Sequence, residues 1–110
     1  MNPMEKMELI KGIEVIYHRR NDEKLITSDR AESIRDSLLE MTPFAEFESN
    51  HDATGYFKNK VYDLNGGLII HSQWIPAEGY SWSEEVIALC DKKSILLLLF
   101  SSPFLGVFYG

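Results

Sequence analysis

The sequence contains little of the chemistry that usually identifies an enzyme or a metalloprotein. Its only cysteine, Cys90, excludes an internal disulfide, and nothing indicates an oxidising compartment. The histidines His18, His51 and His71 stand apart, without the paired spacing of a zinc site, and no acidic calcium loop occurs. Phosphate-binding and Gly-x-Ser-x-Gly motifs are also missing. We therefore expect no metal, no cofactor and no catalytic residue.

Basic residues are scarce as well. Eleven lysines and arginines face 17 acidic residues, so the net charge is −6. Phosphate contacts require a basic surface, so we expect no nucleic-acid partner. The balance is compatible with a basic protein partner, and also with acidity that serves solubility alone.

Segments that would direct the chain to a membrane are lacking too. The first eight residues include charges and no apolar core of a secretory signal. The apolar stretch near the C-terminus is interrupted by Ser101, Ser102 and Pro103, and it is shorter than the ~20 residues of a spanning helix. We expect no membrane association and, by default, a cytoplasmic protein.

Apolar residues, in contrast, are plentiful. They make up 45% of the 110 residues, and 13 residues are aromatic, which predicts one globular domain over residues 1–110. The last 17 residues carry no charge. Within them, residues 95–100 form a solid apolar run that predicts a strand buried on both faces, and residues 105–109 predict a final strand.

Periodicity along the chain predicts further elements. Alternation over residues 7–18 favours a strand in which Gly12 marks a bulge or a close backbone approach, and residues 24–27 suggest a short returning strand. Ser28 is a good N-cap for a helix whose apolar positions recur up to Met41, before Pro43.

The second half of the chain reads as a hairpin followed by a helix or a strand. Residues 44–52 look like a connector, and residues 56–62 and 68–75 flank an Asn-Gly turn typical of a β-hairpin. Residues 81–84 resemble a capping box, which favours a helix over residues 83–92, although residues 86–90 would also suit a strand. The predicted fold is α+β: one domain with a mostly antiparallel sheet of five to six strands and one or two helices packed on one face.

Two features suggest a binding surface. From residue 36 to residue 52 there are five acids and no lysine or arginine, so this acidic segment carries −5 of the net charge. A concentrated negative potential speeds encounter with a basic partner, although a solvated helix end and loop would look the same. The acids of the segment are Asp36, Glu40, Glu46, Glu48 and Asp52.

The second feature is an aromatic stretch at residues 74–82, where polar residues would be usual for a loop. Trp74, Tyr80 and Trp82 lie within these nine residues, together with Glu78. Tryptophan and tyrosine dominate interface hot spots. The alternative is structural: Trp74 would end a strand in the core, and Trp82 would pack on the following helix.

These features favour a non-catalytic inhibitor that binds and neutralises a basic protein, such as a nuclease toxin. In size, charge and lack of catalytic motifs the chain is similar to bacterial immunity proteins of toxin–immunity pairs. The predicted partner-binding residues are the five acids of the acidic segment together with Trp74, Glu78, Tyr80 and Trp82.

Two alternatives remain open at this point. A small phosphodiesterase or ribonuclease could use His18 and His71 as base and acid, helped by Tyr62, Lys58 or Lys60. An oligomeric subunit could instead form a homodimer through an edge strand. Cys90 is surrounded by apolar residues, which indicates a small core residue and not a nucleophile.

Overall fold

An antiparallel sheet with one helix on one face forms the part of the chain that the computed structural model describes, namely residues 12–21, 29–64, 67–93 and 107–108. The elements in chain order are β1 (Ile13–Arg20), α1 (Asp29–Leu38), β2 (Ala45–Asp52), β3 (Gly55–Leu64), β4 (Gly67–Pro76), β5 (Glu84–Cys90) and β6 (Val107–Phe108).

The six strands lie in the order β1-β5-β4-β3-β2-β6, and all neighbours are antiparallel. The α+β prediction with a mostly antiparallel sheet is confirmed. So is the hairpin: Leu64 pairs with Gly67 and Gly55 pairs with Pro76, which leaves two residues between β3 and β4. The outermost described strands are β1 and β6.

Both faces of the sheet carry apolar clusters. On the helical face, α1 contributes Leu38 and Ile34 to a cluster with Tyr17, Ile69 and Ile87. The opposite face is buried by a second cluster, whose fully enclosed members are Ala45, Val61, Ile70, Val86 and Ala88. Residues 68–70 of β4 and 86–90 of β5 contribute to both clusters, and each of these stretches is therefore a continuous apolar run and not an alternation.

The helix is shorter than its periodicity predicts. It ends at Leu38, and the next three residues close tighter i→i+3 turns, from Leu39 N–H to the Asp36 carbonyl up to Met41 N–H to the Leu38 carbonyl. Met41 still packs against the helical-face cluster, which explains its place in the apolar pattern. No helix among the described residues has the length and apolar character that crossing a bilayer requires.

Two predicted elements are wrong. Residues 83–92 do not form a helix, because Glu84–Cys90 is strand β5, paired on both sides with β1 and β4. Residues 44–52 are not a connector, because Ala45–Asp52 is strand β2, whose alternating burial matches a strand period. In both cases backbone pairing with neighbouring strands outweighed the local signal.

The first strand also differs from its prediction. β1 extends to Arg20, and its register slips by one residue between Val15 and Tyr17, which is a β-bulge. The sequence predicts the bulge at Gly12, yet Gly12 precedes the strand with a φ of 92°. Its carbonyl accepts the Asp91 N–H at 3.0 Å and so joins the two strand ends.

Several predictions lie outside the described residues. These are the strands at residues 24–27 and 95–100, the N-cap at Ser28, and residues 7–11 of the first strand. Of the final strand at residues 105–109, only Val107–Phe108 is described, and it pairs with Ala45 and Glu46 of β2.

A buried polar network crosses three strands on the opposite face. Ser72 Oγ donates to Asn59 Oδ1 at 2.6 Å, and Asn59 Nδ2 donates to Ser49 Oγ at 2.9 Å and to the Phe47 carbonyl at 3.1 Å. Asn59 and Ser72 are essentially inaccessible to solvent. Each member therefore depends on the others for its hydrogen bonds, and the network favours this register of β2, β3 and β4.

We expect Asn59→Ala to lower the free energy of unfolding by about 1–3 kcal/mol, because it leaves the buried Ser72 hydroxyl without its acceptor. Urea denaturation of both proteins measures the difference. Lys58→Ala, at an exposed position of the same strand, is the matched control and should change stability little. Equal losses in the two variants would contradict the network's role.

Candidate functional site

The aromatic residues gather at one end of the sheet. Because neighbouring strands are antiparallel, β1, β2 and β4 end at the same end of the sheet where β3 and β5 begin. We call this end the aromatic end. It is marked by Asn21, Asp52, Gly55, Pro76 and Glu84. Residues 77–83 join β4 to β5 there, and we call them the aromatic loop. This end of the sheet therefore carries Trp74, Glu78, Tyr80, Trp82 and Asp52.

The aromatic loop is fixed to the sheet at both of its ends. Ala77 N–H donates to the Thr54 carbonyl at 2.9 Å, and Asn21 N–H donates to the Ser83 carbonyl. Between them, Tyr80 N–H returns to the Ala77 carbonyl at 3.0 Å across a turn in which Gly79 has a φ of 88°. Glycine adopts that conformation without strain. The loop therefore has a defined backbone path.

Two aromatic side chains of this loop face solvent. Tyr80 is 51% exposed and Trp82 is 43% exposed, and Glu78 beside them is exposed as well. Trp82 has no following helix to pack on, because β5 begins at Glu84. The structural alternative that the sequence allowed for Trp82 is therefore wrong.

Trp74 has a different role from the loop aromatics. Its ring is half-buried and meets Phe57 edge-on, with centroids 5.0 Å apart. Gly55 makes this possible, since a Cβ there would lie 2.8 Å from Trp74 Cζ2 and overlap the Ile75 carbonyl. The indole nitrogen is buried without a hydrogen-bond partner among the described residues. Trp74 is thus a half-buried residue of the sheet that packs against Phe57 near the aromatic end.

The acidic segment does not form one uninterrupted patch. In the β2–β3 register, Glu46 lies opposite Lys60 and Glu48 lies opposite Lys58. Side chains directly opposite on antiparallel strands are roughly 5 Å apart at Cβ, so each of these two glutamates has a lysine as its cross-strand neighbour. The lysines come from the next strand of the chain.

The other three acids of the segment lie apart. Asp36 is exposed on α1, and Glu40 is exposed just after it, where the chain leads to the start of β2 and away from the aromatic end. Asp52 is exposed at the aromatic end. Thr54 donates its hydroxyl and its backbone N–H to Asp52 Oδ1, which lowers the pKa of that carboxyl. It is therefore ionised at neutral pH.

The two candidate catalytic histidines lie on opposite faces of the sheet. His18 pairs with Val86 and His71 pairs with Ile87, and consecutive residues of a strand face opposite sides. His18 Nε2 lies 2.6 Å from Glu84 Oε2, and His71 Nε2 lies 2.7 Å from Glu85 Oε2. The two imidazoles share no pocket, so the paired-histidine phosphodiesterase has no site here.

Glu85 is the centre of an ion-pair network on the helical face. Arg35 of α1 places Nη2 3.2 Å from Glu85 Oε1, and its guanidinium lies 4.5 Å from the Tyr17 ring centroid. The hydrogen bond from His71 lowers the pKa of Glu85 most, with further lowering by the charges of His71, Arg35 and Arg19, against an opposing effect of burial. The network joins α1 to the sheet.

Cavities occur at both ends of the sheet. One of about 270 Å³ at the aromatic end is lined by Arg19, Gln73, Trp74 and the first residues of β5. Another, of about 580 Å³ at the other end, includes Gly12 and Cys90. Burial raises the pKa of the Cys90 thiol to about 11, and the thiol donates to the Asp91 carbonyl at 3.1 Å. A protonated, buried thiol is a poor nucleophile.

Glu84 has a role that its local sequence does not reveal. The local pattern predicts a helix-capping role for it, whereas it is the first residue of β5 and bonds to His18, Arg20 and Trp82. The signal that could have revealed it is the apolar run after two consecutive glutamates, which suits a central strand that begins at a polar edge.

The depressed pKa of Glu85 predicts a pH-dependent stability. The ionised Glu85 contributes to the free energy of unfolding at pH values above the ordinary glutamate pKa of 4.5. This contribution is lost as the pH falls through the lower pKa that Glu85 has in the folded protein. We expect Glu85→Gln to cost about 1 kcal/mol of unfolding free energy near neutral pH. The difference in unfolding free energy between the variant and the wild type should become smaller below about pH 4.5. Denaturant titrations at a series of pH values test this.

Glu14→Gln, which changes an exposed glutamate of β1, is the matched control and should show no such difference. A cost of Glu85→Gln that stays constant down to strongly acidic pH would contradict the assignment, because a protonated Glu85 no longer differs in charge from glutamine.

No group of three or more histidine, cysteine, aspartate or glutamate side chains that could hold a metal ion occurs among the described residues. Comparisons of the chain with protein-family models, with curated proteins and with solved structures find no match.

Proposed function

We propose that this protein is a non-catalytic inhibitor of the immunity type, which binds a basic protein such as a nuclease toxin domain in the cytoplasm and blocks it. The observation that carries the proposal is the aromatic loop. Tyr80 and Trp82 are about half exposed on a backbone that is hydrogen-bonded to the sheet at both ends. Rigid, exposed aromatics of this kind act as interface anchors, since they bury a large area and lose few rotamers.

Charge supports a basic partner. Glu78 and the ionised Asp52 are exposed at the aromatic end, and the whole chain carries −6. A net negative field speeds encounter with a cationic protein, while local carboxylates select the orientation. Glu46 and Glu48 face lysines, so we assign them a minor part in affinity. Asp36 and Glu40 act through the overall field.

The test uses the purified protein as bait in a lysate of its native host. We expect it to retain a protein of high isoelectric point, released by salt because the attraction is electrostatic. The purified captured protein is then assayed for nuclease activity, which the bait should abolish. The double variant Tyr80→Ala/Trp82→Ala should bind at least about tenfold more weakly, since each anchor of this type contributes about 1 kcal/mol or more.

Leu39→Ala is the matched control, because Leu39 is 81% exposed but lies after α1, away from the aromatic end. It should leave binding unchanged. The proposal fails if no basic protein is retained. It also fails if the double variant and Leu39→Ala bind alike, or if the captured protein keeps its activity in the presence of the bait.

Self-association through an edge strand is a second candidate. It is supported by the position of β6, which is outermost among the described strands and lies next to β2. An edge strand leaves backbone donors and acceptors open to a second copy of the chain. Multi-angle light scattering over a range of concentrations tests it: a dimer mass supports pairing, and a monomer mass at high concentration contradicts it.

A further inference from the structure

Glu84 is a nearly buried carboxylate that contacts three polar side chains. Its side chain is only 7% exposed. Oε2 lies 2.6 Å from His18 Nε2 and accepts the Arg20 Nε–H at 3.4 Å. Oε1 accepts the Trp82 indole N–H at 3.3 Å. The two carboxylate oxygens thus have different partners, since one is held by β1 and the other points to the aromatic loop.

The hydrogen bond to Trp82 engages an exposed side chain. Trp82 is 43% exposed, and its one polar side-chain atom donates to Glu84. The N–H thus has an acceptor within the protein, which restrains the orientation of the ring. A ring held in this way is available for stacking, including on a cationic side chain.

From these contacts we propose that Glu84 is a positioning residue: it holds the Trp82 ring in its binding orientation before the partner arrives, and His18 and Arg20 hold Glu84. The functional meaning of this role rests on the proposed function above. Restricting Trp82 in the free protein reduces the entropy lost on binding, which is worth about 2- to 10-fold in the dissociation constant.

Glu85 provides an internal comparison. Glu85 follows Glu84 in the chain, and it likewise forms a hydrogen bond with a histidine and an ion pair with an arginine. Its side chain, however, lies on the other face of the sheet. Its described hydrogen bonds and ion pairs include no residue of the aromatic loop. A variant of Glu85 therefore removes the same kind of charge network without touching Trp82. It separates a positioning effect from a general loss of stability.

The test is an NMR measurement on the ¹⁵N-labelled full chain without any partner. The protein has two tryptophans, so two indole N–H signals are expected, and Trp82→Phe assigns them. Glu84→Ala should shift the Trp82 indole signal and lower its heteronuclear NOE, which reports greater mobility. Glu84→Gln retains a carbonyl oxygen that can accept the N–H, and it should restore much of the NOE.

Glu85→Ala, the matched control, should leave the Trp82 signal unchanged. If Glu84→Ala does not fold, His18→Ala takes its place, since it removes a group that holds the carboxylate and should also lower the Trp82 NOE. An unchanged Trp82 signal and NOE in the folded variant would overturn the positioning role, whatever the partner. A mobile Trp82 would support it, and this result is independent of whether the host lysate contains a basic partner.

Discussion

Strand β5 lies between β1 and β4, and its pairing with both determines the surroundings of its two glutamates. Its first two residues, Glu84 and Glu85, point to opposite faces because a strand alternates its side chains. Each meets a histidine of a different neighbouring strand. One carboxylate is thereby committed to the aromatic loop and the other to the contact with α1, so the two faces of the sheet acquire separate roles.

Electrostatics in this protein is decided by strand register more than by sequence neighbourhood. The acidic segment looks unbalanced along the chain, but β3 places Lys58 and Lys60 opposite two of its glutamates. The total charge is unaffected and still acts at a distance. What changes is the local surface, where Asp52 and Glu78 are exposed carboxylates at the aromatic end among the described residues.

Several elements could be predicted because their signals are local. The Asn-Gly turn predicts its own hairpin, and the apolar period of α1 predicts its packing face. β5 and β2 could not be predicted with the same security, because each depends on partners far away in the chain. The capping pattern before Glu84 is a genuine helix signal, yet seven residues with pairing strands on both sides gain more from backbone hydrogen bonds than a short helix would.

The candidate site also combines features that the local sequence predicts with features that depend on distant parts of the chain. The aromatic content of the loop is visible in the sequence, and so is its acidity. Its exposure is not, since this depends on the absence of a following helix and on the anchors at Thr54 and Asn21. The link from Trp82 through Glu84 reaches His18, which is 66 positions from Glu84 in the chain, and no pattern of spacing reports it.

The irregular pairing in β1 has a consequence for the histidines. Val15 pairs with Ala88, but the inserted residue makes Tyr17 pair with Ile87. With an even ladder, His18 would stand opposite Glu85 and share a face with His71, and both imidazoles would compete for one carboxylate. A single additional residue thus gives each histidine its own glutamate and leaves Glu84 to face the aromatic loop.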